Sequence, residues 1–181
     1  ILPQGRIDEF ASRYANSEMT LGEIKEAARQ LQNEYRDRGY ATTRVILPPQ
    51  EVSGGVVRLQ VIEGRIGAIT VDGAEYFDPE HNYLPYLPPA ESVLNKNELS
   101  RGVRQINRHP DKHARAVLQP GDLPGTTDIN LRVKESRPWH VTLGLDNTGT
   151  ENTPRHRSYV RLSHNNLFDR SQSAVFQFTT A

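Results

Sequence analysis

Two stretches of this chain carry the same pattern. Residues 45–61, VILPPQEVSGGVVRLQV, return at 116–133 as AVLQPGDLPGTTDINLRV. Pro49 matches Pro120, Glu51 matches Asp122, Val52 matches Leu123 and Gly54 matches Gly125. Beyond one inserted residue, Leu59, Val61 and Glu63 match Leu131, Val133 and Glu135. A period of roughly 70 residues exceeds an ordinary solenoid unit, so each copy is expected to be a small domain.

The 181 residues then suit two small domains and an appendage. Twenty-two basic residues balance 22 acidic ones. A neutral chain has no global field to attract nucleic acid, so no nucleic-acid partner is expected. Cysteine is absent, which excludes disulfides, thiolate metal sites and cysteine nucleophiles but leaves the compartment open. The chain starts at Ile1 with no signal-peptide pattern behind it, and is expected to be cut from a longer parent. No apolar run has the length of a membrane-spanning helix, so any membrane contact must run through strands.

The first copy opens with a weak helical pattern over 6–15. A clear helix follows. Thr20 and Glu23 form a capping-box pair, and Leu21, Ile24, Ala28, Leu31 and Tyr35 recur at helical spacing until Gly39 ends the run. Strands are expected over 42–48 and 55–63, with Pro48-Pro49 and Gly54-Gly55 turning the chain between them. The second copy adds a strand at 66–72, an irregular Tyr- and Pro-rich segment at 76–90, and a helix through Leu99, Val103 and Ile106 that Pro110 must stop. Strands near 113–119 and 127–134 complete it. By analogy, the first copy lacks an opening strand, which is expected before Ile1 or as a vestige in residues 1–4.

From Arg137 the pattern changes. Trp139, Val141, Leu143 and Leu145 alternate with polar residues; Val160 and Leu162 do so after a polar turn at 147–156, and Ala174, Phe176 and Phe178 after a second. Alternating segments divided by polar turns match transmembrane barrel strands, and equally a half-buried soluble hairpin. Three strands cannot close a barrel and would leave their edges unpaired, so residues 137–181 are expected to lack hydrogen-bond partners and to be poorly ordered, or to borrow pairing from a crystal neighbour.

No catalytic constellation emerges, and no enzyme is expected. His109, Asp111 and His113 have metal-like spacing, but Pro110 inside the cluster favours an exposed helix-to-strand turn, so no metal or cofactor is assigned. The glycines near 54 and 125 lack the lysine and helix of a phosphate loop. Tyr76, Phe77, Tyr83 and Tyr86 cluster among prolines; packing of this loop on the helices is the simpler account, and peptide docking the alternative.

The segment RGYATTRVILPPQEVSGGVVRLQVIEGRI (38–66) resembles the first POTRA domain of two-partner secretion transporters, the exporters of hemolysins and adhesins. Its GY, LPPQ turn, GG and closing EG fall where that family places them. ELSRGVRQINRHP (98–110) and LQPGDLPGTTDINLRV (118–133) resemble the second POTRA domain. LGLDNTGT (143–150) and the RxRxxxxLxxxNLF pattern from Arg155 to Phe168 resemble the opening barrel strands.

The resemblance implies an α+β chain of two tandem β-α-α-β-β POTRA domains, the first lacking its opening strand, followed by the first antiparallel strands of a transmembrane β-barrel. The divisions fall at 1–64, 65–136 and 137–181. It implies an outer-membrane protein of a Gram-negative bacterium, with residues 1–136 in the periplasm. There they bind an unfolded exoprotein, as a monomer, and hand it to the barrel. The related machinery that inserts barrel proteins into the outer membrane is the alternative. A POTRA sheet leaves an edge free, where a client can add a strand through backbone hydrogen bonds. The candidate edges are Thr42, Thr43, Arg44, Val45, Ile46 and Leu47 in the first copy, and His113, Ala114, Arg115, Ala116, Val117 and Leu118 in the second. The short link Glu63-Gly64-Arg65 is expected to limit motion between the copies. The identity of the exported protein is not encoded in these features.

Overall fold

The computed structural model describes residues 2–52, 54–147 and 156–180. Most of the turn expected at 147–156 lies outside them, as does Ser53. Contacts divide the chain into two compact units: Ile1–Thr70 with Pro88–Arg101 and Ala116–Asn130, and Val71–Leu87 with Gly102–Arg115 and Leu131–Ala181.

In the first unit, helix α1 (Gln4–Ser12) packs with helix α2 (Leu21–Asp37). Residues 2–4 enter α1 rather than forming a vestigial strand: Leu2 is buried in the core and Pro3 sits at the N-cap, where its missing N–H costs nothing. The capping box forms, the Thr20 hydroxyl accepting from Glu23 N–H while the Glu23 carboxylate accepts from Thr20 N–H at 2.7 Å. Those bonds hold the Glu23 carboxyl below its usual range. Of the periodic residues, Ala28, Leu31 and Tyr35 are buried, joined by Ala27, whereas Ile24 is half-buried and Leu21, in the open first turn, is exposed. Against that core lie strands β1 (Arg44–Ile46) and β2 (Gln60–Ile62), an antiparallel pair with Val45 opposite Val61.

Both strands are shorter than their apolar patterns suggest, for identifiable reasons. Thr43 N–H turns back to Tyr40 O at 3.2 Å, and Pro48 and Pro49 have no N–H to offer a ladder. Before β2, the Gln50 side-chain amide bonds both the N–H and the C=O of Arg58 at 2.8 Å, taking the place of a neighbouring strand.

The second copy supplies β3 (Arg65–Asp72), a short helix α3 (Pro79–Asn82), helix α4 (Lys96–Ile106), β4 (Lys112–Pro120) and β5 (Thr126–Glu135). Its three-stranded sheet has the order β3-β5-β4. The start of β3 is not a free edge, because Ile66 N–H bonds Ser92 O and Ile66 O accepts from Glu91 N–H, both at 2.9 Å. At the other margin β4 is the outer strand. Gly39 (φ 99°) allows the end of α2 to meet the start of α4: Asn95 Nδ2 and Asn97 Nδ2 both donate to Arg38 O, and a Cβ at Gly39 would collide with both asparagines.

A third sheet, β6 (Trp139–Asp146), β7 (Arg157–Leu167) and β8 (Gln172–Thr180), is antiparallel in the order β6-β7-β8. The expectation that this stretch lacks partners is not met over the described residues, because the three strands pair with one another. Register gathers Val141, Leu162 and Phe176 in one row and Leu143, Val160 and Phe178 in the next. The opposite face carries Thr142, Arg161 and Gln177, with Arg161 donating to Gln177 Oε1 at 2.8 and 3.0 Å. The exposed apolar rows form the kind of face a lipid-facing barrel wall presents.

Candidate client edges and a buried polar joint

The two candidate edges differ. In an antiparallel ladder a residue's N–H and C=O point together, alternately toward and away from the partner strand. Val45 N–H bonds Gln32 Oε1 of α2 at 3.1 Å, so at β1 the central outward donor is already occupied. Of the six residues expected there, only Arg44, Val45 and Ile46 lie in the strand; Thr42, Thr43 and Leu47 flank it. Thr43 is almost fully buried, and its hydroxyl has no partner among the described residues. The β1 edge is therefore short and partly capped.

At β4 all six residues from His113 to Leu118 lie within one strand of nine. Ala114 is buried, whereas His113, Arg115 and Leu118 are exposed. Asn107, just beyond α4, accepts from Ala114 N–H through Oδ1 at 2.6 Å and donates to Ala114 O through Nδ2 at 3.0 Å. Lys112 N–H likewise returns to His109 O at 3.3 Å.

The second unit also holds a buried polar joint built around Lys112. This ammonium is almost fully buried, and among the described residues its hydrogen-bond partners are neutral. It donates to Asn82 Oδ1 at 3.1 Å and to Ser171 Oγ at 2.5 Å, and lies 4.6 Å from the Phe77 ring and 5.2 Å from that of Tyr83. Burial lowers its pKa to about 8, against the opposing pull of Glu135 and Asp169. Ser171 Oγ in turn donates to Asn82 Oδ1. Asp169 accepts from Asp78 N–H at 3.0 Å and from Asn166 Nδ2 at 2.8 Å, while its carbonyl accepts from Asn82 Nδ2 at 2.9 Å.

These bonds seat the β7–β8 turn on α3. Phe168, Asp169 and Ser171 all have positive φ, near 55°, which non-glycine residues adopt at a cost of about 1 kcal/mol or more each. Asn166 offsets part of that cost by accepting from Ser171 N–H at 3.0 Å and donating to Tyr76 O at 2.7 Å. Below α3, Glu135 accepts from the N–H groups of Glu75 and Tyr76 and from the Tyr83 hydroxyl at 2.5 Å. Burial and this carboxylate raise the Tyr83 pKa.

The proposed metal-like triad is not assembled. Asp111 accepts from Asn165 Nδ2 at 2.7 Å, and its other oxygen lies 2.8 Å from His140 Nε2, off the line of a hydrogen bond. His109 Nδ1 accepts from Asp111 N–H, so its Nε2 carries the proton and donates to Asn165 O at 2.9 Å. Burial lowers the His109 pKa, in keeping with this neutral tautomer. His113 is exposed and takes no part. Among the described residues, no group of three or more His, Asp or Glu side chains is placed to hold a metal ion.

Of the aromatic cluster, Phe77 and Tyr83 are buried against Lys112, while Tyr76 and Tyr86 remain exposed. Sequence reasoning missed the joint. Its aromatic walls, Phe77 and Tyr83, stood out in the sequence, but its polar run Asn165, Asn166, Asp169 and Ser171 reads as an ordinary turn.

Comparison with known proteins agrees with this architecture. Residues 1–64 match the model of the ShlB-type POTRA domain, and residues 125–180 that of the haemolysin secretion/activation protein ShlB/FhaC/HecB. The outer membrane transporter CdiB of Dickeya dadantii is 31% identical over 91% of this chain and 29% of its own length. The hemolysin transporter protein ShlB of Serratia marcescens is 33% identical over 76% of this chain and 24% of its own. The solved structure of CdiB from Escherichia coli superposes with a TM-score of 0.82 at 27% identity, covering 98% of this chain and 33% of that one. The chain thus spans about a third or less of the length of these relatives. Two POTRA-like repeats leading into paired barrel-type strands place this chain in the two-partner secretion transporter family.

Proposed function

We propose that this chain is the receptor portion of an outer-membrane protein translocator in a Gram-negative bacterium, and that it adds a strand of unfolded exoprotein to its sheet before handing the client to the barrel. The domains divide at 1–64, 65–136 and 137–181, with the first two in the periplasm. The unit acts as a monomer and performs no catalytic step. One observation carries this reading: β4 is a nine-residue outer strand in a sheet whose central strand, β5, is followed at once by an amphipathic barrel-type sheet.

Between the two candidate edges, β4 is the better one. It offers three times the strand length of β1, nine residues against three; its caps, at Lys112 and Ala114, lie at its beginning, whereas at β1 the N–H held by Gln32 is the central one. Main-chain pairing supplies affinity that is largely indifferent to client sequence. A photo-crosslinking residue placed at Arg115 in the intact transporter tests the proposal in cells secreting the cognate exoprotein. An adduct with that exoprotein is expected at Arg115 and not at exposed Arg29 of α2. Equal labelling at both positions would overturn the assignment of β4.

A further inference from the structure

Asn107 does at β4 what an added strand would do. Its side-chain amide is a one-residue copy of a backbone amide, and it makes both bonds that a neighbouring strand residue would make with Ala114. The empty receptor therefore leaves no orphaned N–H or C=O at this buried residue, which would otherwise be costly. An incoming strand that replaces Asn107 exchanges two hydrogen bonds for two. Backbone bonding at Ala114 then contributes little net affinity, and the neighbouring side chains must supply the preference.

Those side chains are basic. Burial of Lys112 and Ala114 on β4, and of Ile129 and Leu131 on β5, marks the packed side of the sheet. Alternation places His113 and Arg115, with Arg132 and Lys134, on the opposite exposed side. None of these four has an acidic partner among the described residues. Like charges on neighbouring strands repel, and carboxylates on an added strand would relieve that repulsion.

We propose that Asn107 is a placeholder at the client edge, and that it gives way to an extended polypeptide segment carrying carboxylates at alternate positions. This rests on the strand-addition reading above and names the chemistry of the client. Asn107 keeps the edge closed to non-specific pairing, and the basic row selects what opens it.

The test uses the 181-residue chain in detergent with ten-residue probe peptides of alternating Thr-Glu, Thr-Gln or Thr-Lys. Binding is followed by fluorescence and by amide shifts. Thr-Glu is expected to bind at least about tenfold more tightly than Thr-Gln, by an increment that added salt removes. Arg115→Glu with Arg132→Glu should reverse the order of Thr-Glu and Thr-Lys. Asn107→Ala should tighten Thr-Glu binding about fivefold, because a competitor has gone.

Should Asn107→Ala not fold, the unmutated chain gives the same answer. Its Asn107 side-chain amide signals should move to solvent-exposed positions as the peptide binds. Equal binding of Thr-Glu and Thr-Gln along 112–118, or binding there with the Asn107 amide undisturbed, would overturn the inference and leave strand addition standing. If no peptide shifts residues 112–118, strand addition at β4 falls as well.

Discussion

Lys112 shows what one buried charge does in this fold. Its ammonium is held by two neutral oxygens and two aromatic faces, and burial brings its pKa from 10.5 to about 8. Between those values the unfolded chain binds more protons than the folded one, so stability rises with pH. The raised Tyr83 pKa works in the opposite sense above pH 10, where the unfolded chain loses the phenolic proton first. Urea midpoints should therefore climb from about pH 8 to 10 and then turn down. Lys112→Met should flatten the climb, and a parallel climb in the variant would show that another group is responsible. Thr43 is the simpler case. Its hydroxyl is buried without a partner among the described residues, so Thr43→Val should raise stability by about 1 kcal/mol, read as a higher urea midpoint at unchanged slope.

At the scale of elements, what could be read from sequence was what depends on near neighbours. The capping box at Thr20 and Glu23 and the burial of Ala28, Leu31 and Tyr35 follow from spacing, and α2 begins where the box says it should; Leu21 stays exposed because the first turn overhangs the core. Thr20→Ala should cost about 1 kcal/mol, measured by thermal or urea unfolding, and no loss would mean that packing alone fixes this helix start. Strands β1 and β2 were overestimated because side-chain amides, which apolar alternation does not register, took their ladder positions: Gln32 at Val45 and Gln50 at Arg58. Lys112 was illegible for a related reason. A lysine opening a strand reads as solvated, and its burial depends on Ser171, 59 positions away. The third sheet makes its own prediction. Leu162→Arg, on the apolar face, should impair insertion of the full transporter by roughly 2–4 kcal/mol, whereas Thr179→Arg on the polar face should cost far less. Heat-modifiable mobility of the assembled barrel reports both, and equal effects would contradict the facing assigned here.

At the scale of the whole molecule, the chain combines a nine-residue outer strand with an antiparallel sheet that exposes one apolar face. The second unit holds both β4's capped beginning and the β7–β8 turn, tied together through Lys112, Asn82 and Ser171. Buried hydrogen-bond networks of this kind fix one arrangement of the groups they join. The resemblance of both repeats to POTRA domains is readable in the sequence; the distinction between the two edges, which rests on the side-chain amides of Gln32 and Asn107, is not. The most direct test of the account is to titrate the 181-residue chain in detergent with the unfolded amino-terminal domain of its cognate exoprotein, following backbone amides residue by residue. The account predicts shifts and slowed hydrogen exchange centred on 113–118, with 44–46 affected less. Tight binding that leaves 113–118 unperturbed would contradict it.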